Sequence, residues 1–295
     1  LVHAPRRIAF VTSRDYAELS DDDRLALAPL AERGMRAEPA VWTDAAVRWE
    51  EFDLIVCRSP WDYHLAPERF LAWLGAIEAR ALPLFNPAAV IRWNFEKTYL
   101  RQLDAAGVPV VPTAWIGRGD AVRLSEVLAR RGWERAVVKP TLSASAHETW
   151  IVGGRAGAED EERFRRILGS SGAMVQPFMD EIGSGGEWSL IFIEGRFSHA
   201  VVKRPRQGDF RVQSEHGGTA EAAVAPPWLV GQAERAVDAA PRPLLYARVD
   251  GVVRGGEFLL MELELFEPAL YLGDDPAAPG RFADAVARLG SSDAR

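Results

Sequence analysis

Toward its C-terminal end the chain carries side chains that could hold a hard cation: Arg248-Val249-Asp250, then Met261-Glu262-Leu263-Glu264-Leu265. Alternate residues of a strand share a face. Glu262 and Glu264 should therefore project together, and Met261, Leu263 and Leu265 oppositely. Carboxylates this close repel unless a cation lies between them. Oxygen donors with no His or Cys nearby select Mg²⁺ rather than Zn²⁺. Asp250 joins the pair only if the two strands meet even residue to even residue. A three-residue loop, Arg254-Gly255-Gly256, does this. It sets Val253 opposite Glu257, Asp250 opposite Leu260 and Arg248 opposite Glu262. A two-residue turn at Gly255-Gly256 would send Asp250 to the other face, so the three-residue loop is predicted. The competing reading is a solvated polar strand face, and the flanking apolar residues weigh against it.

Lys97, in Asn94-Phe95-Glu96-Lys97, falls near the start of a predicted helix. Lys139 ends the apolar run Ala136-Val137-Val138-Lys139-Pro140, from which a flexible point charge can reach a phosphate. Taken singly, each is more often a solvated surface lysine, although a chain this strongly biased to Arg makes its lysines slightly more notable. Between Lys139 and Trp150 lies Thr141-Leu142-Ser143-Ala144-Ser145-Ala146-His147-Glu148-Thr149. Small and hydroxyl side chains suit a loop whose backbone N–H groups close over phosphates, and equally an ordinary hairpin loop. Neither the G-x-x-x-x-G-K-[ST] phosphate loop nor G-x-G-x-x-G after a strand is present, so a nucleotide would need another cradle.

The elements that must position these groups follow from hydrophobic periodicity. Strands are predicted over 8–12, 40–43, 52–57 and 82–85, with helices after Ser20-Asp21-Asp22-Asp23 and over 67–79. That alternation describes a small open parallel sheet within residues 1–90. A helix over 93–106 follows, stopped by Gly107 and Pro109. Then come strands over 136–140 and 174–178, a helix over 159–168, paired strands over 188–203, a helix over 228–240, the hairpin, and a closing helix over 281–289. The fold class is α/β followed by α+β.

The chain has 295 residues, of which 48% are apolar and 26% charged, which suits a globular enzyme of about two domains. Net charge is −7 and no Lys/Arg block of five occurs, so nucleic acid is not an expected partner. The lone Cys57 lies in an apolar run and excludes a disulfide framework, in keeping with a cytoplasmic setting. No signal peptide or membrane span is predicted. His3, His64, His147, His199 and His216 are scattered without ligand spacing, and the tryptophans fall mostly on apolar stretches that suit a core or an oligomer interface. Arg58-Ser59-Pro60-Trp61-Asp62-Tyr63 follows a buried strand, where open α/β sheets place ligands. Arg58, Trp61, Asp62 and Tyr63 are therefore candidates for gripping a zwitterion, with Tyr16, beside Arg14 and Asp15, a weaker one. A structural turn with a packed Trp is the alternative.

Taken in order, these pieces resemble the ATP-grasp superfamily, most closely the branch of D-alanine–D-alanine ligase and bacterial glutathione synthetase. The resemblance covers nearly the whole chain and rests on the ordered set rather than on any one motif. It implies an ATP-grasp fold: an N-terminal α/β domain over 1–92, a small lid subdomain over 93–172, and a C-terminal subdomain over 173–295, the last two clasping ATP. It further implies that Lys97 and Lys139 contact phosphates beneath the loop with Ser143 and Ser145. Gln176, Phe178 and Met179 would form the adenine hinge, with the acidic Glu187 beside it. Lys203 would face the triphosphate, Arg211 would lie in a substrate loop over 205–218, and Arg248 would steady an oxyanion. Asp250, Glu262 and Glu264 would bind Mg²⁺, two ions in all, with Mn²⁺ as a substitute.

The family's last metal ligand is usually Asn, in Glu-x-Asn, whereas here it is Glu264. The form Glu-Leu-Glu-Leu-Phe-Glu-Pro is similar to a sub-branch that includes a D-cycloserine-forming ligase. The activity implied is ATP-dependent carboxylate–amine ligation through an acyl phosphate on small amino-acid-like substrates, releasing ADP and phosphate. Intramolecular cyclo-ligation is the close variant, and homodimers are common among such relatives. A non-catalytic ATP-binding module would lack a use for Arg248. A nicotinamide enzyme would need Gly-rich turns that are missing.

Overall fold

The computed structural model describes residues 4–206, 209, 211–212 and 216–289. His3 and six residues of the expected 205–218 loop (Gln207, Gly208, Phe210, Gln213, Ser214 and Glu215) lie outside them.

Four strands near the N-terminus, β1 (Arg6–Thr12), β2 (Met35–Val41), β3 (Leu54–Ser59) and β4 (Leu84–Phe85), form an all-parallel sheet in the order β2-β1-β3-β4. Every residue of β3 is buried, as a strand covered on both faces requires. The helix Pro67–Ala79 occupies its predicted span, with Pro at its first position, where no backbone N–H is needed. Ser20 caps the first helix by accepting a hydrogen bond from the Asp23 amide (3.1 Å).

A second sheet is antiparallel: β5 (Ala114–Ile116), β6 (Arg135–Pro140), β7 (Trp150–Gly153) and β8 (Ala173–Pro177), ordered β5-β8-β6-β7. The strand at 173–177 is thus hydrogen-bonded into this sheet. Helices Leu124–Arg131 and Ala158–Ser170 cover its apolar face. A third sheet, also antiparallel, contains β9 (Glu187–Ile193), β10 (Arg196–Arg204), β11 (Thr219–Ala223), β12 (Tyr246–Arg254) and β13 (Glu257–Glu264), in the order β11-β10-β9-β12-β13. Helix Pro227–Asp238 packs on one side of it with Tyr99, Leu100 and Leu103. Helix Ala278–Leu289 packs on the other, where Phe282 meets Phe10 of the parallel sheet edge-on. No helix of the described residues is long and apolar enough to cross a membrane.

The single helix expected over 93–106 is two helices, Ala88–Asn94 and Tyr99–Ala105. The break is a tertiary effect. Asn94 donates to the Leu263 carbonyl and accepts from the Leu265 amide (both 2.8 Å), while the Tyr99 hydroxyl accepts from the Leu263 amide (2.9 Å). Together they satisfy the open edge of β13, an edge that would otherwise expose unpaired backbone groups. Lys97 sits in the break, and its amide donates to the Thr141 carbonyl (2.8 Å) rather than continuing a helix.

The hairpin β12–β13 departs from expectation in its turn and meets it in its parity. Arg254 pairs with Glu257 across a two-residue Gly255-Gly256 turn, both glycines at positive φ, the conformation such turns demand. Alone, this turn would put Asp250 on the wrong face. A β-bulge between Asp250 and Gly251 corrects it: Gly251 pairs with Leu260, but Asp250 pairs with Glu262 and Arg248 with Glu264. Met261 is the extra residue. Up to Leu260 the even residues of β13 face the core; beyond the bulge Leu263 and Leu265 do. Gly251 is needed here, because a Cβ would sit 2.4 Å from the Leu259 carbonyl oxygen and 2.5 Å from the Phe258 ring.

Candidate active site

One cleft is lined by residues of the second and third sheets and of the loops joining them. On the third sheet, strand pairing sets Asp250 opposite both Ser189 and Glu262, Lys203 opposite Glu187, and Arg248 opposite Glu264, so all these side chains share the cleft face. Ligand oxygens of Asp250, Glu262 and Glu264 lie within 4.8 Å of one another. Two ionised carboxylates at such a separation repel by roughly 3 kcal/mol at an effective dielectric constant of about 20, so neighbouring cations must offset the charge.

Those cations are in place. Lys97 Nζ lies 2.8 Å from Glu262 and donates to the Ser143 carbonyl (2.7 Å). Lys203 Nζ lies 2.5 Å from Glu187 and 3.4 Å from Asp250. Arg248 grips Asp250 (Nη2 to Oδ2, 2.9 Å), bonds Glu264, and donates to the Ala269 carbonyl (3.1 Å). Ser189 donates to Asp250. Burial alone would raise Asp250, but Arg248 and Lys203 outweigh it and hold its pKa down to about 2. Burial likewise raises Glu264, and with Glu262 and Asp250 beside it the pKa reaches about 7 despite Arg248. Glu262 is lowered because Lys97 and Lys139 exceed the cost of burial. Hard oxygen donors in a tight group with lysine and arginine as counter-ions are a donor set that fits Mg²⁺.

The other wall is β6 with the 141–149 loop. Lys139 points into the cleft without an ion pair among the described residues, and burial lowers its pKa. The chain has three lysines, Lys97, Lys139 and Lys203, and all three line this cleft. The loop brings Ser143 and Ser145 to it. Ser145, Ala146 and Glu148 hold positive φ, a conformation costly for residues other than glycine and concentrated at ligand-gripping segments. Gln176, Phe178 and Met179 line the cleft from the segment leaving β8. The Gln176 amide is engaged with Thr113 (2.9 Å), and Phe178 lies under the Arg135 guanidinium (3.8 Å). Arg211 lines the cleft too, bonded to Asp209 (2.8 Å).

The zwitterion candidates separate. Trp61 lines the cleft and Tyr16 packs edge-on against it (4.6 Å). Arg58, Asp62 and Tyr63 do not line it. Arg58 is fully buried, bonded to Asp23 (2.8 Å) and the Pro268 carbonyl (3.0 Å), because the end of β3 abuts the third sheet rather than solvent. Asp62 accepts from the Trp42 indole (2.5 Å), and Tyr63 is packed among Phe70, Phe95 and Phe266. Met261, expected away from the acids, lines the cleft because of the bulge. Two histidines expected to be isolated meet: the rings of His64 and His147 are 5.1 Å apart, and burial with that neighbour lowers His64 to about 4.

Sequence reasoning missed Ser189, Tyr271 and Glu267. Ser189 was readable, two residues beyond Glu187 on one strand face. Tyr271, with its ring 5.7 Å from the Arg248 guanidinium, and Glu267 reach the cleft through irregular chain that carries no periodic signal.

Known proteins bear out the architecture. Residues 8–86 match the family described as the N-terminal domain of D-cycloserine synthetase DcsG. The chain is 33% identical over 271 residues to the cycloserine biosynthesis protein DcsG of Streptomyces lavendulae, spanning 86% of this chain and 89% of that one. A crystal structure of D-cycloserine synthetase DcsG superposes with a TM-score of 0.87 at 28% identity, over 96% of this chain and 99% of that one. The D-alanine–D-alanine ligase from Bacillus anthracis shares the fold, with a TM-score of 0.68 at 13% identity over 97% of each chain. With the two walls of the cleft and these likenesses together, the chain belongs to the ATP-grasp superfamily and is a ligase of its DcsG-like D-cycloserine synthetase branch.

Proposed function

We propose that this ligase closes a ring: it activates the carboxylate of a small amino-acid-like molecule with ATP and joins it to a nitrogen of the same molecule. The cyclising reading is favoured over joining two molecules because two relatives that this chain matches over most of its length are named for cycloserine synthesis. The observation that carries the chemistry is the Asp250, Glu262, Glu264 cluster facing three lysines in one cleft.

ATP would lie between the two walls. Its adenine would rest along Gln176 to Met179 near Glu187, and Lys97, Lys139 and Lys203 would hold its phosphates, with the Ser143–Ser145 stretch over them. Asp250, Glu262 and Glu264 would hold two magnesium ions, which would neutralise phosphate charge. The γ-phosphoryl group passes to a carboxylate oxygen: the bond to ADP breaks and an acyl phosphate forms. The internal nitrogen then attacks the acyl carbon, phosphate departs, and a nitrogen proton is released. Arg248 would steady the oxyanion of that step, since its position against Asp250, Glu264 and Ala269 is set before substrate arrives. Arg211 and the 205–218 loop would help exclude water, which otherwise hydrolyses the acyl phosphate.

The test uses β-aminooxy-D-alanine, the ring-opened form of D-cycloserine, with ATP and Mg²⁺. Mass spectrometry should find ADP and a product equal to the substrate less one water. A product containing two substrate molecules would replace ring closure with intermolecular ligation. ATP binding without ADP release for any amino acid offered would leave a binding module instead.

A further inference from the structure

Five carboxylates line the cleft: Glu187, Asp250, Glu262, Glu264 and Glu267. Four have a cation in contact: Glu187 and Asp250 with Lys203, Asp250 and Glu264 with Arg248, and Glu262 with Lys97. Glu267 has no ion pair among the described residues. Lys97 acts on it at a distance, but the Lys97 ammonium is already committed to Glu262. Glu267 is also not one of the three clustered ligands. Burial, with Glu264 beside it, raises the Glu267 pKa well above the usual carboxylate range, and an arriving cation would offset that cost of ionising it.

The segment carrying Glu267 is held rigidly from the N-terminal sheet. The Trp61 indole donates to the Glu267 carbonyl (2.8 Å), and Arg58 donates to the Pro268 carbonyl (3.0 Å). Both carboxylate oxygens of Asp22 accept backbone amides, from Leu270 (2.7 Å) and Leu272 (2.5 Å). The Glu267 carboxyl is hydrogen-bonded with the Tyr63 hydroxyl, and Trp61 also lines the cleft. A carboxyl group beside aromatic side chains, placed in advance on a pinned segment, can receive an ammonium group, whose charge favours the ionised form.

We propose that Glu267 is the specificity residue that receives the α-ammonium group of the substrate, so that a zwitterion is held with its ammonium at Glu267 and its carboxylate toward Arg248. This rests on the amino-acid-like substrate class proposed above. The N-terminal sheet then contributes to recognition through the backbone of 267–272, with Arg58 and Asp22 as positioning residues rather than as direct contacts.

The test compares wild type, Glu267→Gln and Glu267→Asp in the full chain, using β-aminooxy-D-alanine and β-aminooxypropionate, which lacks the ammonium. Glu267→Gln should raise KM for the first compound roughly 10–100-fold, the range of a charge-assisted hydrogen bond. Glu267→Asp should recover part of that loss. Removing the ammonium from the substrate already forfeits the contact, so with β-aminooxypropionate the variant should add little further loss. Equal losses on both compounds, a parallel fall in ATP affinity, or an unchanged KM would each overturn the assignment. If ADP is released but no ring forms, the ring-closing reading fails while the same comparison still decides Glu267. If calorimetry with an ATP analogue detects no binding of either compound or of D-alanine, the Glu267 assignment itself falls.

Discussion

Lys203 on the third sheet sits between Glu187 and Asp250, and Arg248 between Asp250 and Glu264, so this wall carries its own counter-ions. Lys139 on the second sheet has no ion pair among the described residues and lies beneath a loop with three residues other than glycine at positive φ. One wall is preorganised by partners in the protein, Lys203 and Arg248 on its own sheet and Lys97 from the helix break. The other is built to receive its partner from outside. On the proposed function, the metal-binding geometry would be set in the resting protein, while the charge across the cleft would be completed by nucleotide phosphates.

The largest effect should come from breaking the paired wall. Glu262→Gln is expected to lower kcat by about 10³-fold, since metal-dependent charge stabilisation is worth several kcal/mol. Circular dichroism should show an intact fold. Near-normal ADP release would remove Glu262 from the site.

Lys139→Met tests the unpaired wall. It should weaken ATP binding roughly 10–100-fold, the worth of a charge-assisted contact, with little change in thermal stability because no partner in the protein is lost. Calorimetric titration with an ATP analogue measures this. A drop in Tm with unchanged ATP affinity would make Lys139 structural.

Gly251→Ala tests the bulge that sets the parity of the paired wall. The added Cβ would press on the Leu259 carbonyl and the Phe258 ring, and such overpacking costs about 1–3 kcal/mol in a denaturant titration. Unchanged stability would mean that the bulge tolerates a side chain.

The smallest effect concerns the helices behind the unpaired wall. Glu161 accepts from the Leu124 and Ser125 amides (both 3.0 Å) and the Ser125 hydroxyl (2.7 Å), tying two helices together. Burial would raise its pKa, but these hydrogen bonds and Arg123 outweigh that and lower it. A carboxyl depressed in the folded state stabilises fully above its unfolded pKa of about 4.3, and that contribution fades as pH falls through the folded value. Glu161→Gln should therefore cost about 1 kcal/mol at neutral pH and progressively less in acid. A difference that does not change with pH would assign the effect to packing.

Much of the site was legible in residue types. Glu262 and Glu264 could be grouped because strand alternation is local, whereas Asp250 reaches their face through the bulge. The parallel sheet and the helix over 67–79 were readable because apolar spacing records which face is buried. The two-residue turn was misjudged because parity can be restored by a bulge, and a bulge leaves no mark on residue spacing. The helix over 93–106 was read as continuous because propensity does not register that Asn94 and Tyr99 are claimed by an edge strand about 170 residues away in sequence.

What the sequence by itself determined was which side chains could do chemistry and which faces they share, since these depend on composition and on the short periods of strand and helix. Only the tertiary structure decided that Arg58 is spent on Asp23 and that Glu267 has no ion pair among the described residues. Ion pairing depends on which charges meet in space, and those meetings join residues that chain spacing does not relate.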